Sequence, residues 1–230
     1  MIPSFPGWLW AWVALLPAVA GSTNAVALLA LRHGGVTHLT GVSTEGAIGM
    51  GTGDLVLVWH AFAVVSLFTL GCAISAWIAR GPRWTPYGRT GSLLLAVAAL
   101  LGAAYQIFGE SPSLGIFVCA LAIGIQNGVT SVATGAVLRT SHLTGMFTDI
   151  GIALGQISWN GPVDYRRVSI CTAVIASFGV GATAGAFLYT KWHARALLVS
   201  AAIAATASLL TFVFRAKGRQ LERIGMGKTS

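Results

Sequence analysis

The sequence predicts an all-α fold: a polytopic membrane helix bundle of about six transmembrane helices, a 3+3 inverted repeat carrying two short re-entrant or broken helices. Three observations predict it. Of 230 residues, 55% are hydrophobic and only 9% are charged, against roughly 25% charged in a soluble domain, so the chain cannot clothe a water-facing surface. Six long apolar stretches, at about 8–31, 55–79, 92–108, 113–138, 168–190 and 196–214, each approach the ~20 residues that cross a bilayer. Finally, His-Leu-Thr-Gly occurs twice, at His38–Gly41 and at His142–Gly145, and internal symmetry of this kind marks transporter scaffolds.

The repeat extends beyond those four residues. Each copy is followed by Thr and an acid (Thr44-Glu45, Thr148-Asp149) and preceded by Gly-x-x-Asn (Gly21 to Asn24, Gly124 to Asn127). Asp54, Phe68, Gly71 and Ala76 recur at the same spacing as Asp164, Phe178, Gly181 and Ala186. The expected division is a first membrane repeat at 1–110, a second at 111–215 and a basic cytoplasmic tail at 216–230.

The first stretch has no basic region before Trp8 and no small-residue cleavage site, so it reads as a span rather than a signal peptide. The two His-Leu-Thr-Gly segments, about 37–51 and 141–156, are apolar but short and rich in Gly and Thr; such lengths are more often re-entrant or interfacial than spanning. The remaining stretches are ordinary spans, several flanked by Trp (Trp8, Trp10, Trp59, Trp77, Trp84, Trp159, Trp192), whose indole favours the membrane–water border.

Basic residues orient the spans. Arg80, Arg83 and Arg89 follow the second span and are expected in the cytoplasm, with Glu110 outside. If both short segments dip in and return, Arg139, Arg166, Arg167 and the tail with Arg215, Lys217, Arg219, Arg223 and Lys228 are cytoplasmic too, and only Lys191 and Arg195 break the rule. Full crossing by the short segments breaks it more badly. Both termini of this multi-pass protein are therefore expected in the cytoplasm. Cys72, Cys119 and Cys171 lie in apolar runs without a C-x-x-C and read as buried free thiols.

Four of the six acids form matched pairs, Glu45 with Asp149 and Asp54 with Asp164. A carboxylate at membrane depth costs at least ~2.5 kcal/mol, so protonation, a cation or a positive partner must offset it. Glu45 and Asp149, flanked by Ile, Ala and Gly, are the candidates for proton coupling; their alternative role is to pin their own short helices, Asp149 with Arg139 as charge partner. Asp54 and Asp164 fall at span starts, where a carboxylate suits the positive helix end, and read as structural. His38 and His142 are imidazoles, the side chains that change charge near neutrality. Thr40 with Thr44, Gly41 with Glu45, and their partners Thr144 with Thr148 and Gly145 with Asp149, share helical faces. A helix starting at Thr40 or Thr144 offers free N–H groups to an anionic group; the alternative is a small-residue packing helix. Asn24 and Asn127, amides inside spans, either face a cavity or bond a neighbouring helix. Gly181-x-x-x-Gly185 and Gly71-x-x-x-Ser75 predict close crossings of their two spans, with each other or in a homo-oligomer.

The pattern lacks a compact metal-ligand set, a Gly-rich phosphate loop and a Ser-His-Asp or Cys-His arrangement. No metal, no cofactor and no nucleic-acid partner is expected. The expected partners are the lipid bilayer and an unidentified small molecule contacted by Asn24, His38, Thr40, Gly41, Thr44, Asn127, His142, Thr144, Gly145 and Thr148. The expected function is a small secondary transporter; the alternative is a membrane-embedded enzyme on a lipid or hydrophobic metabolite, with His38 or His142 as base beside an acid.

The residues also carry a resemblance. Gly21-x-x-Asn24-Ala25-Val26 with His33-x-x-Val36-Thr37-His38-Leu39-Thr40-Gly41 resembles the first half of the YoaK-like family of bacterial integral membrane proteins. Gln126-Asn127, Leu138-Arg139-Thr140-Ser141-His142-Leu143-Thr144-Gly145 and Thr148-Asp149-Ile150-Gly151 resemble its second half. The resemblance implies a polytopic inner-membrane protein and supplies no activity. The second copy has Arg139 where the first has Gly35, so the two sites are expected to be unequal.

Overall fold

The computed structural model describes residues 7–31, 35–79 and 88–226; Arg80, Arg83, Trp84, His33 and Lys228 lie outside them, and the side chains of Arg219 and Arg223 are also undescribed. Among the described residues the chain is all-helical: α1 (Gly7–Leu31), α2 (Leu39–Thr52), α3 (Leu55–Ile78), α4 (Gly88–Phe108), α5 (Pro112–Thr134), α6 (Leu143–Ser158), α7 (Tyr165–Trp192) and α8 (Ala196–Met226), with a 3-10 turn at His193–Arg195. Five helical runs are long and apolar enough to cross a membrane, the last being the continuous stretch Tyr165–Lys217 that holds both α7 and α8. At ~1.5 Å per residue, the 14 residues of α2 and 16 of α6 reach about 21 and 24 Å, less than the ~30 Å of hydrocarbon.

Glycines and serines set the helix crossings. A Cβ on Gly181 would overlap the backbone of Ala18, one on Gly185 would meet Ser22, and one on Gly21 would overlap the carbonyl of Phe178, so α7 lies backbone to backbone on α1. Gly71 meets Leu121 and Ile125, Gly124 meets Phe68, and Gly128 meets Cys72 and Ser75, which brings α3 onto α5 in the same way. Side-chain hydrogen bonds to backbone carbonyls support both crossings: Ser177 Oγ donates to Ala14 at 2.6 Å and Ser75 Oγ to Ile125 at 2.7 Å. Each such bond contributes about 0.6 kcal/mol inside a membrane. The small faces of α3 and α7, expected to cross each other or a second copy, are instead occupied within the chain by α5 and α1.

The contact register fixes helix directions. Ala14, Ala18 and Ser22 meet Ser177, Gly181 and Gly185 in that order, so α1 and α7 are parallel. Phe68 and Ser75 meet Gly124 and Gly128, so α3 and α5 are parallel. Trp12 Nε1 donates to Thr211 Oγ1 at 2.9 Å and Ser200 Oγ to Ser22 Oγ at 2.9 Å, so α8 opposes α1. Ser208 Oγ donates to the Gly91 carbonyl at 2.7 Å, and the far end of α4, at Tyr105 and Gln106, adjoins the turn before α8, so α4 opposes α8. The tight turn at 109–111, with Phe108 folded over Gly115, makes α4 and α5 antiparallel. Hence α1, α4 and α7 run one way and α3, α5 and α8 the other, and the Tyr165–Lys217 run is two antiparallel helices. Trp12 is 1% exposed in that core.

The fourth span ends earlier than expected. The apolar run continues to Leu138, but α5 stops at Thr134, where Gly135 takes the left-handed conformation at φ 61° and Ala136 follows at φ 66°. Periodicity cannot detect this break, because Val137 and Leu138 are as apolar as the helix before them. Asp54 and Asp164 cap their helices as expected: Asp54 Oδ1 accepts from the N–H of Val56 and Leu57 at 3.1 and 3.0 Å, and Asp164 Oδ1 from those of Arg166 and Arg167 at the same distances.

Candidate functional site

Two asparagines position the segments that precede the short helices. Asn24 lies two turns before the end of α1, and its Oδ1 accepts the N–H of Thr37 at 3.0 Å. Asn127 lies two turns before the end of α5, and its Oδ1 accepts both the N–H of Thr140 at 3.0 Å and its hydroxyl at 3.1 Å. Each connection therefore folds back along its helix by about 10 Å at ~1.5 Å per residue before the next helix starts. Asn127 Nδ2 also donates to Ser141 Oγ at 2.9 Å, and Gln126 Nε2 bridges the Leu16 carbonyl at 2.9 Å and Thr140 Oγ1 at 3.1 Å. Buried amides must find such partners where water is excluded. Gly35 can pass this point because a Cβ there would stand 2.6 Å from Asn24 Oδ1.

The short helices then begin at His38 and His142, neither of which caps its helix with its side chain. Each imidazole instead lies over the Gly three residues on: a Cβ on Gly41 would overlap the His38 ring, and one on Gly145 the His142 ring. This gives the His-x-x-Gly spacing a cause. By contrast α3, α5 and α7 have side-chain caps at Asp54, Ser111 and Asp164.

Both helix starts open into one cavity of about 700 Å³. His38, Leu39 and Thr40 line it from one side; Ser141, His142, Leu143, Thr144, Gly145 and Thr148 line it from the other. Thr37, Asn127, Gly128, Ser131, Arg139, Cys72, Phe68 and Val132 complete the wall. Of the residues the sequence singled out, the cavity gathers His38, Thr40, Asn127, Arg139, His142, Thr144, Gly145 and Thr148. Asn24, Gly41, Thr44, Glu45 and Asp149 are not among its lining. Asn24 tethers Thr37 and Gly41 seats His38. The Thr44 and Thr148 hydroxyls donate back to the Thr40 and Thr144 carbonyls at 2.9 and 3.0 Å.

A second cavity of about 480 Å³ adjoins it and shares Arg139, His142, Gly145 and Thr148. Asp149, Asp164, Arg167 and Cys171 also line it. Arg167 donates to Asp149 Oδ2 from Nε at 3.0 Å and Nη2 at 2.8 Å, and Cys171 Sγ lies 3.8 Å from the same oxygen. The guanidinium expected beside Asp149 was that of Arg139; the structure pairs Asp149 with Arg167, in the first turn of α7, and leaves Arg139 on the wall shared by the two cavities. Glu45, the matched acid, lies within electrostatic range of His60 on α3, whose ring packs against Phe117 at 5.2 Å between centroids. Asp149 on its short helix thus meets a basic side chain on the long helix that follows it.

Arg167, Cys171, Ser131, Ser141 and Cys72 were missed by sequence reasoning. Arg167 was read only as a topological marker, although its place three residues after the Asp164 cap puts it on the first turn of α7. Cys72 was expected to be buried; it is half-buried, free and at the cavity wall, with Sγ donating to the Gly124 carbonyl at 3.2 Å. No group of three or more His, Cys, Asp or Glu side chains placed to hold a metal ion occurs among the described residues.

Residues 12–210 match the model of a family described as "Protein of unknown function (DUF1275)". No curated protein and no solved structure matches the chain.

Proposed function

We infer that this chain, which belongs to the DUF1275 family, is a small secondary transporter whose substrate occupies the cavity between α2 and α6. A YoaK-like assignment is consistent with that family. The single observation that carries the reading is the meeting of the two His-Leu-Thr-Gly segments, far apart in sequence, at one cavity. Secondary transporters place their sites where discontinuous helices of two repeats converge.

Helix directions favour an inverted repeat. Each helix of the first set, α1, α3 and α4, runs opposite to its counterpart α5, α7 and α8. α1 and α3 are antiparallel although only α2 intervenes, which supports α2 as a re-entrant helix; α5, α6 and α7 repeat the argument. The fold-back of Thr37 along α1 and of Thr140 along α5 points the same way. With these directions both ends of the helical bundle lie on one side, together with Arg89, Arg139, Arg166, Arg167, Arg215 and Lys217, whereas Lys191 and Arg195 lie on the other. That asymmetry favours cytoplasmic termini.

Asp149 and Glu45 are the residues proposed to exchange a proton. The adjoining cavity connects Asp149 to the substrate space through shared walls, and Arg167 compensates its charge. The test is solute uptake by proteoliposomes under an imposed pH gradient. Glu45→Gln with Asp149→Asn is expected to abolish the pH dependence; unchanged pH-dependent uptake would rule the coupling role out.

The enzyme alternative retains one supporting observation, that His142, Asp149 and Cys171 line the same cavity. Turnover by purified protein without any gradient would favour it over transport.

A further inference from the structure

We propose that the central cavity selects a small organic anion, its oxyanion head held between the starts of α2 and α6 with Arg139 as counter-charge and its apolar body against Phe68. This rests on the transporter reading for its purpose, though not for its chemistry. Among the described residues the lining includes one guanidinium, Arg139, and two imidazoles, His38 and His142, and contains no Asp or Glu. Asp149 and Asp164 line the adjoining cavity instead, with Asp149 bonded to Arg167. A space whose ionisable walls are Arg, His and Cys, with low-dielectric surroundings, concentrates negative charge.

The backbone adds to this field. The two helices that begin at the cavity lack side-chain caps, while Asp54, Ser111 and Asp164 cap α3, α5 and α7. An uncapped start presents N–H groups and the positive end of the helix dipole. Here two such starts face one space that already holds a guanidinium. Ser131, Ser141, Thr40 and Thr144 supply hydroxyls around it, and Phe68, Leu39, Leu143 and Val132 give one wall an apolar character. At about 700 Å³ the space is in the range of small-molecule sites. An inorganic ion would leave the Phe68 wall without a partner; Arg139 is exposed, so a neutral solute would forgo its charge without stranding it.

The measurement uses the full-length protein purified in detergent, with thermal unfolding read against benzoate, benzenesulfonate and the neutral isostere benzamide. Benzoate and benzenesulfonate are expected to raise Tm and benzamide to leave it unchanged. Arg139→Gln is expected to weaken benzoate binding roughly tenfold or more, as loss of a charge-assisted hydrogen bond does, and Arg139→Lys to retain part of it. An unchanged ligand-free Tm in Arg139→Gln shows that the variant folds. Equal responses to benzoate and benzamide, including none to either, overturn the proposal, as does undiminished benzoate binding in Arg139→Gln. Anion-selective binding without uptake into proteoliposomes would refute transport and leave this site standing; uptake of neutral solute without anion selectivity would do the reverse.

Discussion

Asn127 holds Thr140 by two atoms at once, its Oδ1 accepting the backbone N–H at 3.0 Å and the hydroxyl at 3.1 Å. Thr140 is fully buried, so neither donor has water as an alternative partner. Asn127→Leu removes the acceptor and keeps the bulk. A buried donor left unmade costs ~1–3 kcal/mol, so this variant is expected to lower the unfolding free energy by about 2 kcal/mol or more. Asn24→Leu, which loses only the bond to Thr37, is expected to cost less. Detergent-phase thermal unfolding ranks the two.

The rings of His142 and His38 need the glycines beneath them. Gly145→Ala is expected to swing the exposed His142 ring aside, at a cost below the ~1–3 kcal/mol of overpacking a closed core. In a His142→Ala background the same substitution is expected to be nearly neutral, because the overlapping atoms are gone. A double-mutant cycle in thermal unfolding measures that coupling; additive effects would refute the packing account.

The Asp149–Arg167 pair is expected to show the same kind of coupling, weakly. Arg167's side chain is 65% exposed and that of Asp149 is 27% exposed, so the pair is worth about 1 kcal/mol or less in stability. Removing one partner leaves an uncompensated charge. Arg167→Gln is therefore expected to be more damaging than Arg167→Gln combined with Asp149→Asn, in both yield and Tm.

Close backbone packing of α7 on α1 separates two glycines on one helix. Gly181→Ala places a Cβ against the Ala18 carbonyl, whereas a Cβ on Gly179 has nothing within 4 Å. The first is expected to destabilise by ~1–3 kcal/mol and the second to stay within ~0.5 kcal/mol of the parent. Urea or thermal titration of the two variants is the check. Gly71→Ala on α3 is expected to follow Gly181→Ala, because its Cβ would meet the Leu121 carbonyl on α5.

Composition and apolar run length were enough to identify a helical membrane protein, because lipid leaves a chain few ways to satisfy its backbone. The doubled His-Leu-Thr-Gly motif was legible as a repeat, but that residues of both copies line one cavity follows only from the helix packing. Asp54 and Asp164 were legible as caps for a local reason: a capping carboxylate bonds N–H groups two and three residues away. What the linear chain withheld was every relation set by crossing and direction. Which face of α3 meets α5, that Arg167 rather than Arg139 reaches Asp149, that Asn24 tethers a loop while its counterpart also lines the cavity, and that α5 stops at Thr134 all depend on helices placed side by side. Apolar periodicity carries no such information inside lipid, where nearly every face is apolar. There the choice falls to where glycines let backbones touch and where buried amides find their partners.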